Sequence, residues 1–128
     1  MTLFDVWIYE TSAGRSPVLD YIESVPKFDQ AKIARTVNLL SSCGFALLST
    51  PCVKKLRGDL FELRIVGARD HRIILFHWNG NGFVLLHAFA KQTNKTPRGA
   101  IAVAEERIND WVDRTSGSSP LGSMGYEE

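Results

Sequence analysis

The segment from Leu60 to Ala90 restricts this chain to folds built around a β-sheet. LFELRI alternates strictly, with Phe61, Leu63 and Ile65 on one side and Glu62 and Arg64 on the other, which is the period of a strand. VGARD makes a turn. Arg72–Trp78, RIILFHW, is a nearly continuous apolar strand. NGNG, Asn79–Gly82, follows it, and Asn and Gly tolerate the positive φ that a tight hairpin requires. FVLLHAFA, Phe83–Ala90, is the return strand. Strands this short, joined by turns this tight, pair as an antiparallel meander.

The flanks supply one further strand and three helices. Phe4–Glu10 is rich in β-branched and aromatic residues and reads as a first strand. Ser16-Pro17 offers an N-cap followed by proline at the first helical position, where its missing N–H costs nothing. Val18, Leu19, Ile22 and Val25 then form one apolar face of a short helix ending at Pro26. Asp29 to Cys43 reads as a second helix, with Ile33, Val37 and Leu40 on its apolar stripe and Gly44 where a left-handed terminal residue fits. FALLSTPC is a connector and KQTNK a loop. Thr96-Pro97 repeats the capping logic and opens a last helix to about Arg114, with Ile101, Ala104, Ile108 and Trp111 on one side. The expected order is β-α-α-β-β-β-α, an α+β fold whose helices pack on one face of an antiparallel sheet while the other face carries cations. Residues 1–114 form the domain, and residues 115–128, TSGSSPLGSMGYEE, read as a flexible tail.

A chain of 128 residues with 45% hydrophobic content suits one domain with a real core. No apolar run reaches the ~18 residues of a spanning helix, and the N-terminus lacks the pattern of a secretory signal. A cytoplasmic protein is expected, with Cys43 and Cys52 reduced and packed as small apolar groups. No CxxC and no His/Cys cluster has metal-ligand spacing, so neither metal nor cofactor is expected. The net charge of +1 hides an uneven distribution. Residues 54–98 hold nine Lys/Arg against three Asp/Glu, and the remainder holds six against eleven. A basic face of this kind is either a footprint for a polyanion or a solvated surface whose cations protect a sheet edge.

Strand parity sorts the candidates. Arg64 points away from Phe61, Leu63 and Ile65, and Arg72 opens the neighbouring strand across a turn. Lys91 and Lys95 follow the third strand, and Lys54, Lys55 and Arg57 line the approach to the first. Arginine suits phosphate because its planar fork bonds two oxygens at once. Trp78, beside the hairpin turn, is placed to stack on an unpaired base or to pack in the core; Phe76 and Phe89 read as core. His71, His77 and His87 each read as structural, and His87, which shares the parity of Lys91, is also the candidate acid or orienter. Glu62, the only acid on the Arg64 side of its strand, reads as an ion-pair partner holding an arginine in place rather than as a general base.

PCVKKLRGDLFELRI, then HRIILF, then LLHAFAKQTNKTP before a helix, resembles the RelE/ParE superfamily of type II toxin–antitoxin toxins, in particular its HigB-like, phage Gp49-related branch. The resemblance runs over roughly residues 4–112 and is most specific at 51–98. It implies a small endoribonuclease that cuts mRNA in the ribosomal decoding site and arrests translation. It also implies an antitoxin, often a helix-turn-helix protein, through which the complex reaches its operator DNA. The ParE side shares the fold and poisons DNA gyrase, and a prophage-derived remnant would keep the fold without activity. By position, Lys54, Lys55 and Arg57 match the family's basic segment, Arg64 and Arg72 its two strand arginines, and Lys91 and Lys95 lysines of its KKT-KTP element. Gln92 stands where a second lysine is usual, His71 where tyrosine is common, and Gly99 where a longer residue is usual. RNA brings its own nucleophile, the 2′-hydroxyl. On this likeness Arg64 and Arg72 stabilise the charge at phosphorus, and Lys91 moves a proton or clamps phosphate, with Lys95 and His87 behind it.

Overall fold

The computed structural model describes residues 3–117. Strand β1 (Asp5–Ile8) leads into helices α1 (Pro17–Ser24) and α2 (Lys27–Cys43) and a 3₁₀ turn (Gly44–Ser49). Strands β2 (Val53–Arg57), β3 (Leu60–Ile65), β4 (His71–Trp78) and β5 (Gly82–Ala90) follow, and helix α3 (Arg98–Gly117) closes the described chain. The strands form one sheet in the order β1-β5-β4-β3-β2.

The meander is present in the register that the alternation requires, with Arg64 opposite Arg72 and Arg72 opposite Phe89. Asn79 and Gly80 both take positive φ at the β4–β5 turn. Three features differ from expectation. Val53–Arg57 is not an approach but a fifth strand, joined to β3 across Gly58, itself at positive φ, and Asp59. The sheet is mixed, because β1 pairs parallel with β5. The helices are not confined to one face.

On the first face, α1 and α2 bury Val18, Ile33 and Leu40 against Phe61, Leu63, Ile65, Ile73, Leu75, Phe83 and Leu85. On the second, α3 sets Ala100 and Ala104, with Ile101, Ile108 and Trp111, against Leu60, Ile74, Phe76, Val84 and Leu86. The cause is the composition of β4, which is apolar at both parities and so needs cover on both sides. The last helix supplies that cover over only part of the second face.

Local chemistry fixes the ends of the helices. Pro17 opens α1 as expected, but Ser16 makes no side-chain cap; its hydroxyl is buried without a partner among the described residues. Pro26 lets α2 begin at Lys27, two residues earlier than its periodicity implied. Gly44 ends α2 at positive φ, and a Cβ there would run into the Phe4 ring. Cys43 and Cys52 are free thiols, half-buried at the margin of the first core.

The far end of α3 is held by an electrostatic clasp. The Tyr9 hydroxyl donates to Asp110 at 2.6 Å, Arg114 donates to the same carboxylate and to the Glu10 carbonyl, and Arg107 and Arg114 lie 5.6 and 5.7 Å from the Tyr9 ring centre. The Tyr9 bond, then Arg114, hold the Asp110 carboxyl below the usual carboxylate range. Helix α3 runs three residues beyond Arg114, and the rest of the expected tail, from 118 on, lies outside the described residues.

Candidate active site on the uncovered half of the sheet

Strands β3 and β4 set Arg64 and Arg72 directly across from each other on the face that α3 only partly covers. Like charges in that position repel. The chain answers with Glu62, two residues before Arg64 and therefore on the same face. Its Oε1 lies 3.4 Å from the Arg64 Nε and 3.5 Å from the Arg72 Nε, and its Oε2 accepts a 2.6 Å bond from the Thr96 hydroxyl. Glu62 is 1% exposed and Arg72 6%, whereas the Arg64 side chain keeps 27% of its surface. One buried carboxylate thus orients two guanidiniums and anchors the loop that carries the lysines. The arginine Nη1 of residue 72 is buried and has no hydrogen-bond partner among the described residues.

The other expected residues divide into those brought to this centre and those kept from it. Lys54 faces the same way as Glu62, its register partner, at the sheet edge. Lys91 leaves β5 with its Nζ 3.9 Å from the Asp70 carboxylate. Lys95 is exposed on the anchored loop, beside a shallow cavity of about 370 Å³ that Gln92 and Thr96 also line. His87 is half-buried, two register positions from Phe89 on the same face, with its Nδ1 3.4 Å from Arg107. Burial first, and then the Arg107 charge, push its pKa below the ordinary histidine value, so the ring is neutral at neutral pH. Lys55 is exposed but pairs with Phe61 and so belongs to the opposite face. Arg57 is held 2.5 Å from Glu105 of α3. Trp78 packs edge-on against Trp111, with ring centres 5.5 Å apart, six residues along β4 from Arg72.

His71 is the structural residue that it reads as in the sequence. It is 1% exposed on the first face, with Nδ1 at 2.6 Å from the Tyr21 hydroxyl and Nε2 at 2.8 Å from Asp29. It ties α1 and α2 to the start of β4, directly behind Arg72. Thr96 was read only as a helix cap, and nothing in its local sequence announces a bond to a strand 34 residues earlier. Arg107 was not singled out at all. A bulge in β5 leaves Leu86 without a register partner, and Arg107 donates to its carbonyl at 2.7 Å. That extra residue turns both Leu86 and His87 toward the second face.

A family model and two known proteins match this chain. The family model described as "Phage derived protein Gp49-like (DUF891)" matches residues 20–109, which includes every strand of the site. The probable endoribonuclease HigB1 of Mycobacterium tuberculosis, strain H37Rv, is 38% identical over 93 residues, 72% of each chain, and the protein of the same name from strain CDC 1551 / Oshkosh matches equally. With its meander, its paired strand arginines and this match over most of its length, the chain belongs to the phage-derived Gp49-like family, as a HigB-like member of the RelE superfamily.

Proposed function

We propose that the chain is an endoribonuclease toxin of a type II toxin–antitoxin system, cutting mRNA held in the ribosomal decoding site and so arresting translation and growth. Its family and its likeness to HigB1 support the toxin–endoribonuclease reading and imply an antitoxin partner. In this reading that antitoxin is a helix-turn-helix protein, and operator DNA is reached only through the complex.

The observation that carries the chemistry is the unpartnered Nη1 of Arg72. A buried charged donor left unsatisfied costs about 1–3 kcal/mol or more, a cost that an acceptor brought by a ligand recovers. A phosphate oxygen is the natural acceptor for a guanidinium fork. Arg72, buried and pre-oriented by Glu62, meets the scissile phosphate, while the more exposed Arg64 closes on its second oxygen. Together they stabilise the negative charge that builds on the phosphate oxygens as the 2′-oxygen attacks phosphorus and the bond to the 5′-oxygen breaks, the 2′-hydroxyl losing its proton and the 5′-oxygen gaining one to leave a 2′,3′-cyclic phosphate and a 5′-hydroxyl. Lys91 transfers the proton or clamps the phosphate, with Lys95 behind it. Neutral His87, whose Nδ1 already faces a cation, serves as an orienter rather than an acid. Lys54 guides the RNA backbone in from the sheet edge. Lys55, Arg57 and Trp78 stand apart from this centre and take no part in the bond-breaking step.

The test is primer extension on a defined mRNA in a reconstituted translation system, with and without ribosomes. Cuts that need ribosomes and vanish in Arg64→Ala are expected. Cuts on bare RNA would make the enzyme ribosome-independent, and no cuts from folded protein in either case would overturn the nuclease reading in favour of a gyrase-type poison or an inactive remnant.

A further inference from the structure

Beside Arg72 the sheet carries a second, differently built concavity. It measures about 260 Å³ and is lined by His87, Phe89, Ala90, Gln92, Pro97 and Ala100. We infer that this cavity is a nucleobase site, in which one unpaired base of the substrate RNA stacks on the His87–Phe89 ring pair while the Gln92 amide bonds its edge. The inference rests on the nuclease reading above and adds to it where the enzyme senses sequence.

Four observations carry it. Phe89 is the register partner of Arg72, and directly opposed residues in an antiparallel pair have Cα atoms only about 4.5–5.5 Å apart. A phosphate on the Arg72 fork therefore lies on the same sheet face as the Phe89 ring, within the reach of one nucleotide. The His87 and Phe89 rings are stacked, with centres 5.3 Å apart and planes 26° apart, and both are half-buried. The neighbouring helix turn does not fill the space above them, because it lines the cavity only with the short side chains of Pro97 and Ala100. Finally, the lining holds no lysine or arginine. Two aromatic rings and one amide, which is both donor and acceptor, suit a flat uncharged polar group and not a phosphate. Arg107 braces the platform from behind: it donates to the Leu86 carbonyl and faces the His87 Nδ1, which leaves the Nε2 of the neutral ring as its protonated nitrogen.

Two readouts on the full chain separate this site from the activity it serves. Cleavage is mapped across a mixed-sequence mRNA on ribosomes for wild type, Phe89→Ala, Phe89→Tyr and Gln92→Ala. Binding is read apart from cleavage, by quenching of a fluorescent purine analogue placed in a short single-stranded RNA. A base stack is worth enough that Phe89→Ala should lower cleavage by about 5- to 150-fold, mainly through KM, with Phe89→Tyr restoring it. Gln92→Ala should redistribute the cuts among the four bases, and quenching seen with wild type should be lost in Phe89→Ala. Wild-type cutting with an unchanged rate and pattern in Phe89→Ala overturns the base site and leaves the nuclease reading intact. So does loss in Phe89→Ala and Phe89→Tyr alike with lowered melting temperature, which is the signature of a core role. Quenching without cutting overturns the nuclease reading and retains the base site; neither cutting nor quenching overturns both.

Discussion

The half of the second sheet face under α3 and the half beside it are built from the same strands, yet different forces hold them. Under the helix, Leu60, Ile74, Phe76, Val84 and Leu86 meet Ala100 and Ala104 in an apolar contact. Each buried large apolar side chain there contributes roughly 1.5–3 kcal/mol and asks for no particular angle. Beside the helix, Glu62, Arg64, Arg72 and Thr96 make a directional network in which one carboxylate serves three donors. Burying such charges costs several kcal/mol per ion before their attraction is counted, and apolar residues of similar size often do as well or better. The first half therefore accounts for stability. The second is costly to keep, and it leaves a guanidinium donor unspent. That difference locates the chemistry more firmly than the charge count does.

The comparison sharpens most where one partner of the buried network is removed. Glu62→Ala leaves Arg72 buried without its carboxylate and should destabilise the fold by about 3–5 kcal/mol. It should also reduce cleavage per folded molecule, since both guanidiniums and the Thr96 loop lose their anchor. Urea unfolding alongside a cleavage assay reads both, and a variant as stable and as active as wild type would break the distinction between the halves. Phe76→Ala, in the covered half between Leu60 and Val84, should cost about 3–5 kcal/mol while the folded fraction cuts RNA at close to the wild-type rate. Loss of cleavage without loss of stability in that variant would place the chemistry under the helix instead.

The smallest effect expected is on acid stability. Burial and Arg107 lower the His87 pKa in the folded state, so the unfolded chain takes up a proton that the folded chain resists. This contribution to stability is present above the ordinary histidine pKa, about 6.5, and is lost as pH falls through the folded value. His87→Gln should flatten that part of the curve of stability against pH. An unchanged curve would mean that the ring is not held neutral by its surroundings.

Much of this was readable before any coordinates. LFELRI shows its parity and NGNG its turn, and the VGARD turn brings Arg72 to the strand beside Arg64; the residue-for-residue pairing of the two arginines comes from the fold. Glu62 was legible as an arginine's partner because it sits two residues from Arg64 on one strand. Strand β2 is hidden in the sequence because Lys54, Lys55 and Arg57 read as a charged approach. The signal was the pair Gly58-Asp59, a two-residue turn with glycine in its first position. The apolar stripe of α3 says that the helix needs a partner but not on which face; the clue lay in Ile74 and Phe76, apolar at the same parity as Arg72. The parallel pairing of β1 with β5 and the Thr96–Glu62 bond join segments far apart in the chain, and no local pattern encodes them.

The most direct measurement is the single-turnover rate at which Arg72→Ala and Arg72→Lys cut ribosome-bound mRNA, each checked for folding by its thermal transition. If the spare guanidinium donor meets the scissile phosphate, the alanine variant loses about 10²–10³-fold in rate. Lysine, which keeps the charge without the fork, recovers only part of it. A folded Arg72→Ala protein cutting at the wild-type rate would contradict the account at its centre.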